Sequence, residues 1–253
     1  MHQVLDPRRD HSFAPTICAL GIMTKAPRAG MVKTRLQPPL TAEEAAQLNI
    51  YFLRDIAAAI VRTGRQSKGV GVFTPVGSEG DYVDVLPPDF VLISQRGDSF
   101  GERLMNAATD LLRVGFESCC LINSDSPTVT AVAFRRAVVE LHGADNRIVL
   151  GPSDDGGYYL IGMRKAYRQL FENIDWSIER VFTQTLERAR ELSLSVHVLP
   201  KFYDIDDATA LRRLCSELLD EKSDDVAPAT RGFLAELVAR DGPERFCPPS
   251  VSS

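Results

Sequence analysis

Short apolar runs alternate with segments of helical periodicity along most of this sequence, and that alternation predicts a mostly parallel sheet covered on both faces. Residues 16–23 (TICALGIM) form a continuous apolar run bounded by polar and Pro-rich sequence, which predicts a first central strand buried on both faces. Runs at 69–73 (GVGVF), 90–94 (FVLIS), 118–122 (SCCLI), 147–150 (RIVL) and 194–199 (LSVHVL) predict later strands. Between the first two, Leu48, Phe52, Ile56, Ala59 and Ile60 recur at helical spacing, with Thr41 as cap and Glu43 and Glu44 in the first turn. Leu104, Ala107, Ala108, Leu111 and Leu112 mark a second helix, and Phe134, Val138 and Leu141 a third. Ile178, Val181, Phe182 and Thr185 suggest a fourth, and Leu211, Leu214, Cys215 and Leu218 a fifth. The expected class is α/β.

A chain of 253 residues fits one large domain, and 44% hydrophobic residues supply a core. The expected organisation is a polar leader over 1–15, the domain over 16–219, a helical extension over 220–240 around Phe233, Leu234, Leu237 and Val238, and a flexible tail over 241–253. Lys and Arg number 29 against 34 Asp and Glu, a net charge of −5, so no general attraction to nucleic acid or to anionic membranes is expected. Any phosphate site must then be local. The five cysteines (Cys18, Cys119, Cys120, Cys215, Cys247) form neither an even set nor a C-x-x-C pair, which argues against zinc and a disulfide framework. The leader has no apolar core, and no stretch approaches the roughly 20 apolar residues of a membrane helix, so a cytoplasmic protein with reduced thiols is the expectation. Nothing in the pattern fixes an oligomeric state.

In open parallel sheets ligands bind beyond the carboxyl ends of the strands, and four polar segments follow apolar runs directly. The first, residues 24–36 (TKAPRAGMVKTRL), gathers Lys25, Arg28, Lys33 and Arg35 around Pro27 and Gly30. Such cations neutralise phosphate oxygens, and Gly30 lets the backbone approach an anion; a solvated basic loop is the bland alternative. The loop has neither Walker nor dinucleotide-binding glycine spacing. The second, Asn123-Ser124-Asp125-Ser126-Pro127, puts a carboxylate where a hard divalent cation wants an oxygen ligand, or else makes an Asx turn. The third runs from Gly151 to Leu160; Asp154, Asp155, Gly156, Gly157 and Tyr158 could hold a polyhydroxylated or phosphorylated substrate, or form a hairpin turn. In the fourth, Tyr203-Asp204-Ile205-Asp206-Asp207, alternation puts Asp204 and Asp206 on one side as a second metal arm, unless Asp206 or Asp207 simply caps a helix. Together, one basic and three acidic patches argue for a phosphate-plus-metal site.

Other residues carry less. His2, His11, His142 and His197 are dispersed, and no G-x-S-x-G elbow is present. Trp176 reads as packing more than recognition, and residues 95–103 (QRGDSFGER) as a loop and helix start that also lies near the ligand edge.

As a set, Lys25-Ala-Pro-x-x-Gly30-x-x-Lys33-Thr-Arg-Leu36, Gln95-Arg-Gly97 with Gly101-Glu-Arg-Leu104, Ser124-Asp-Ser-Pro127, Gly151-Pro-x-x-Asp-Gly-Gly-Tyr-Tyr-Leu-Ile-Gly162 and Asp204-Ile-Asp206 resemble a bacterial family of glycosyltransferase-A-type (GT-A) proteins. These are the arsenosugar-biosynthesis glycosyltransferases of the nucleotide-diphospho-sugar transferase superfamily, and the match runs from about Thr16 to Leu214. The resemblance implies a Rossmann-like GT-A fold with a mostly parallel mixed sheet and a nucleotide bound over the first strand. It also implies Mg²⁺ or Mn²⁺ held at Asp125, although Asn123 stands where a first Asp of an Asp-x-Asp element would be. The basic loop is similar too to that of 2-phospholactate guanylyltransferases, where cations hold a triphosphate.

The resulting expectation is a metal-dependent glycosyltransferase acting on a nucleotide diphosphate sugar and a small-molecule acceptor. Asp125 and Asp206 share the metal; Lys25, Gly30, Lys33 and Arg35 bind the nucleotide phosphates. Asp154, Gly156, Gly157 and Tyr158 bind substrate, with Asp155 as general base. Two alternatives stand beside it. One is a nucleotidyltransferase that uses an NTP and a phosphorylated small molecule and releases pyrophosphate; the other is a non-catalytic nucleotide-binding protein.

Overall fold

The computed structural model describes residues 1–9, 11, 17–143, 145–176, 178–220 and 225–246. Its centre is one mixed sheet made of β1 (Gln3–Val4), β2 (Cys18–Lys25), β3 (Ser67–Thr74), β4 (Val91–Ser94), β5 (Ser118–Ile122), β6 (Arg147–Pro152), β7 (Tyr158–Met163) and β8 (Ser195–Val198). The spatial order is β1-β4-β3-β2-β5-β7-β6-β8. Neighbours run parallel except at β7, which is antiparallel to both β5 and β6. The reason is local: only the five residues 153–157 join β6 to β7, too few for a parallel crossover. The hairpin reading of the Gly-Gly segment and the sheet-edge reading thus both describe this loop.

Around the sheet lie α1 (Ala42–Val61), α2 (Phe100–Arg113), α3 (Ala131–Leu141), α4 (Val181–Glu191), α5 (Ala208–Leu218) and α6 (Pro228–Asp241). Side chains alternate across β2, so Cys18, Leu20 and Ile22 pack with α1 and α3, while Ala19 faces the side covered by α2 and α4. Both layers bury large apolar side chains, as a strand hydrophobic on both faces requires. The helix starts follow sequence chemistry. Thr41 with Glu44 and Ser99 with Glu102 each form a reciprocal capping box.

Two expectations need correction at their edges. Thr16 lies outside the described residues, and β2 continues past Met23 to Lys25, which carries the chain to the ligand edge of the sheet. Ile178 precedes α4 instead of belonging to it, because the hairpin carbonyl of Gly156 accepts a bond from Phe182 N at 2.8 Å and fixes the helix start there.

The described segments towards both termini also join the body. Gln3 and Val4 pair with β4, and Leu5 is buried. Helix α6 packs on α1 and α5, with Tyr51 and Phe233 stacked 4.8 Å apart. Its first turn has no cap of its own, since Ala227 supplies no side-chain oxygen. Instead the Asp55 carboxylate of α1 accepts from Ala229 N at 3.0 Å and Thr230 N at 2.8 Å. Phe246 is buried and Arg245 pairs with Glu44; residues 247–253 of the expected tail, including Cys247, lie outside the described residues. No helix among the described residues is long and apolar enough to cross a membrane.

Candidate active site

At the carboxyl ends of β2, β5 and β6 two cavities adjoin, of about 280 and 730 Å³, and four residues line both: Arg35, Ser124, Asp125 and Asp206. The smaller one is enclosed by the basic loop. Gly30 takes a left-handed turn there (φ 73°), and Lys33 does the same at φ 51°, where a side chain is strained. That conformation immediately precedes the short 3₁₀ turn Thr34–Leu36, whose Leu36 is fully buried under the loop.

Strain at Lys33 accompanies a specific contact. Its ammonium lies 2.7 Å from Asp125 Oδ1 and 3.1 Å from Asp206 Oδ1, and donates to the Ile205 carbonyl at 2.6 Å. The side chain is only 5% exposed and runs over the Phe52 ring. Burial by itself disfavours the charge, but the two carboxylates outweigh it and raise the Lys33 pKa above its ordinary value. Each carboxylate is held in place. Ser124 Oγ donates to Asp125 Oδ1 at 3.1 Å, within an Asx-type turn in which Asn123 also donates to Ser126. Ile205 N donates to the Asp125 carbonyl at 2.9 Å, tying the two acidic loops together.

With Lys33 engaged and Arg28 paired to Asp81 at 2.7 Å, the basic loop leaves two cations, Lys25 and Arg35, without a carboxylate partner among the described residues. Both are exposed at the smaller cavity. Asn49 of α1 lines it too. It is buried at 3% exposure, and its side-chain oxygen finds no hydrogen-bond donor.

The larger cavity is walled by the hairpin loop and the 203–207 segment. Gly157 N donates to Asp155 Oδ1 at 2.8 Å, which orients that carboxylate at the wall. Gly156 is left-handed (φ 86°), and a Cβ there would fall 2.1 Å from the Glu179 carbonyl, so the loop closes only with glycine. Asp154 turns toward Arg213 (2.7 Å) and Lys201 (3.1 Å), which hold its pKa below the ordinary value. Asp204 accepts from Ser153 Oγ at 2.7 Å. Burial, reinforced by Asp155 and Asp206, pushes Asp204 up to about 6. Asp207 caps α5, accepting from Thr209 N and Ala210 N, while its neighbour Asp206 faces Lys33.

The structure therefore brings Lys33, Asp125 and Asp206 into contact and sets Lys25 and Arg35 beside them. Asp154, Asp155, Gly157 and Tyr158 line the adjoining space. Gly30 and Gly156 shape loops without lining either cavity. The sequence gives no sign of Asn49, which sits among apolar helix positions, or of Arg213. Trp176 packs against the core on the α2 and α4 side, as expected, and also lines the larger cavity.

Among the described residues no three His, Cys, Asp or Glu side chains gather to hold a metal unaided. The donor set of Asp125, Asp206 and the Ile205 carbonyl is all oxygen and already surrounds a cation, the Lys33 ammonium. That chemistry fits Mg²⁺ or Mn²⁺ carried in on phosphates, because Mg²⁺ is commonly bound by one or two carboxylates together with substrate oxygens.

A family described as an uncharacterized protein conserved in bacteria (DUF2064) matches residues 61–178, a span holding the 123–127 segment and the hairpin loop but neither the basic loop nor Asp206. No curated protein matches the sequence. A cytidylyltransferase from Leptospira borgpetersenii serovar Hardjo-bovis (strain JB197) is similar in fold alone, at 10% identity and a TM-score of 0.52 over 95% of this chain and 100% of that one. Closer is a protein from Desulfovibrio desulfuricans G20, provisionally described as a nucleotide-diphospho-sugar transferase. The chain is similar to it at 28% identity with a TM-score of 0.78, covering 89% of this chain and 96% of that one.

Proposed function

We propose that this protein is a glycosyltransferase that takes a sugar from a nucleotide diphosphate sugar and passes it to a small-molecule acceptor. The observation that carries the reading is the pair of cavities joined along Arg35, Ser124, Asp125 and Asp206, one rich in cations and the other in carboxylates. Similarity to the Desulfovibrio protein supports it, as does the resemblance to arsenosugar-biosynthesis glycosyltransferases.

In this reading Lys25 and Arg35 bind the diphosphate by charge-assisted hydrogen bonds at the smaller cavity. Lys33 presents its ammonium to the same phosphates once they compete with Asp125 and Asp206. Asp125 and Asp206 would hold a divalent ion if one is carried in on the diphosphate, and such an ion would supply charge neutralisation at the leaving group. The acceptor enters the larger cavity, where Asp155 receives its hydroxyl proton. The acceptor oxygen bonds to the anomeric carbon, the bond from that carbon to the phosphate oxygen breaks, and the electron pair leaves with the nucleoside diphosphate.

The test is product identity. The protein is incubated with pooled nucleotide sugars or pooled NTPs, Mn²⁺ and candidate acceptors, and the released fragment is identified. Acceptor-dependent nucleoside diphosphate supports the reading. Pyrophosphate released from an NTP, with every nucleotide sugar intact, replaces it by nucleotidyl transfer.

A further inference from the structure

We infer that the acceptor taken by the larger cavity is an uncharged or cationic molecule with a flat apolar body, and that phosphorylated or carboxylated acceptors are refused. The word acceptor rests on the donor reading above; the charge and shape preference rests on the cavity itself.

Part of the cavity lining is aromatic. Phe100 and Trp176 meet edge to face with ring centroids 5.1 Å apart, and Phe100 is 46% exposed. Gly101 makes this possible, since a Cβ there would come 2.8 Å from the indole Nε1. Met23, Leu104 and Leu121 complete an apolar floor. Half-covered aromatic rings over an apolar floor gain free energy when a planar apolar group covers them.

Much of the remaining lining is acidic. Seven carboxylates line the cavity against two guanidiniums. Arg213 is committed, to Asp154 at 2.7 Å and to the Tyr203 ring at 3.7 Å. Arg35 stands on the edge shared with the smaller cavity, where the donor phosphates go. The carboxylates of Asp155 and Glu179 have no cation partner among the described residues. Away from Arg35, an anionic acceptor would meet the unpaired carboxylates of Asp155 and Glu179 and no uncommitted cation, whereas a hydroxyl or ammonium group would find acceptors.

Three probes with one skeleton and three charges test this: tyramine, 4-hydroxyphenethyl alcohol and 4-hydroxyphenylacetate. The chain has a single tryptophan, Trp176, so its fluorescence reports on the wall of this cavity. Tyramine and the alcohol should perturb Trp176 saturably, and the carboxylate should bind at least about tenfold more weakly than the alcohol, a difference of one decade in Kd. Glu179→Gln should weaken tyramine and leave the alcohol unchanged. Equal or tighter binding of the carboxylate overturns the inference, and so does a failure of all three probes to move the Trp176 signal. Calorimetry of a nucleoside diphosphate with Mn²⁺ runs in parallel. If the probes keep their order while the nucleotide does not bind, the donor reading fails and the cavity's preference stands; the reverse outcome sinks the inference and spares the donor reading.

Discussion

Lys33 and Asp125 are in contact at 2.7 Å, although one comes from the loop after β2 and the other from the loop after β5. Asp206 completes the group from a third loop, 173 positions from Lys33 in the sequence. A lysine placed between two carboxylates keeps them together without a metal, and it is itself a phosphate-binding cation. Ligand-free and ligand-bound states can thus exchange partners within one group of side chains.

Removing that ammonium should show what it holds. Lys33→Met leaves Asp125 and Asp206 facing each other, and because both are partly exposed the cost should be about 1–2 kcal/mol, less than for a fully buried pair. Excess Mn²⁺ should raise the melting temperature of this variant more than that of the parent, since the cation can take the vacated place. Equal Mn²⁺ responses in the two proteins would show that these carboxylates are not a cation site.

Asp204 should make the ligand-free protein pH-sensitive. Its folded-state pKa of about 6 lies above the ordinary 3.8, so its contribution to stability is fully present below the ordinary value and is lost as pH rises through about 6. Asp204→Asn keeps an oxygen for Ser153 Oγ and removes the ionisation. Discounted for partial exposure, the variant should be more stable than the parent by of order 1 kcal/mol near pH 8 and equal to it near pH 4. Urea unfolding at the two pH values measures this, and a gap that does not grow with pH contradicts the assignment.

Much of the site was legible because parallel topology does the gathering. Asn123, Ser153 and Lys25 each sit where an apolar run ends, and a parallel sheet brings such ends to one edge whatever the order of its strands. What stayed hidden depends on contacts between distant elements. The charge of the basic loop points Lys33 at phosphate, and no local pattern announces that it is already bound to Asp125 and Asp206. Asp55 reads as an interruption of the apolar stripe on α1; its purpose appears only when α6 arrives with an uncapped first turn. The antiparallel β7 is the middle case. Its Gly-Gly loop is a visible hairpin signal, but its insertion between β5 and β6 is set by pairing on both sides.

The Asp55 cap should govern how firmly α6 is attached. Two backbone donors lose their only charged acceptor in Asp55→Ala, a loss of about 1–3 kcal/mol by the usual cost of buried groups left unpaired. Hydrogen exchange should speed up in α6 first, and Asp55→Asn should recover part of the protection through its remaining oxygen. If amides of α6 exchange at the parental rate in Asp55→Ala, the helix is held by its apolar contacts with α1 and α5 alone.

Asn49 separates stability from binding most sharply. Its oxygen is buried without a donor at the wall of the smaller cavity, an arrangement that costs the free protein and makes sense if a ligand supplies the missing partner. Replacing an unsatisfied buried amide with an apolar group of similar volume is commonly neutral or stabilising, so Asn49→Leu should melt at or above the parental temperature. The same change should weaken binding of a nucleoside diphosphate with Mn²⁺ by about tenfold, the loss expected for one good hydrogen bond. Melting and calorimetry on the same preparation decide the matter. A variant that loses stability and keeps its affinity would make Asn49 a packing residue of α1, and the smaller cavity would then bind phosphate through Lys25, Lys33 and Arg35 without help from the helix behind them.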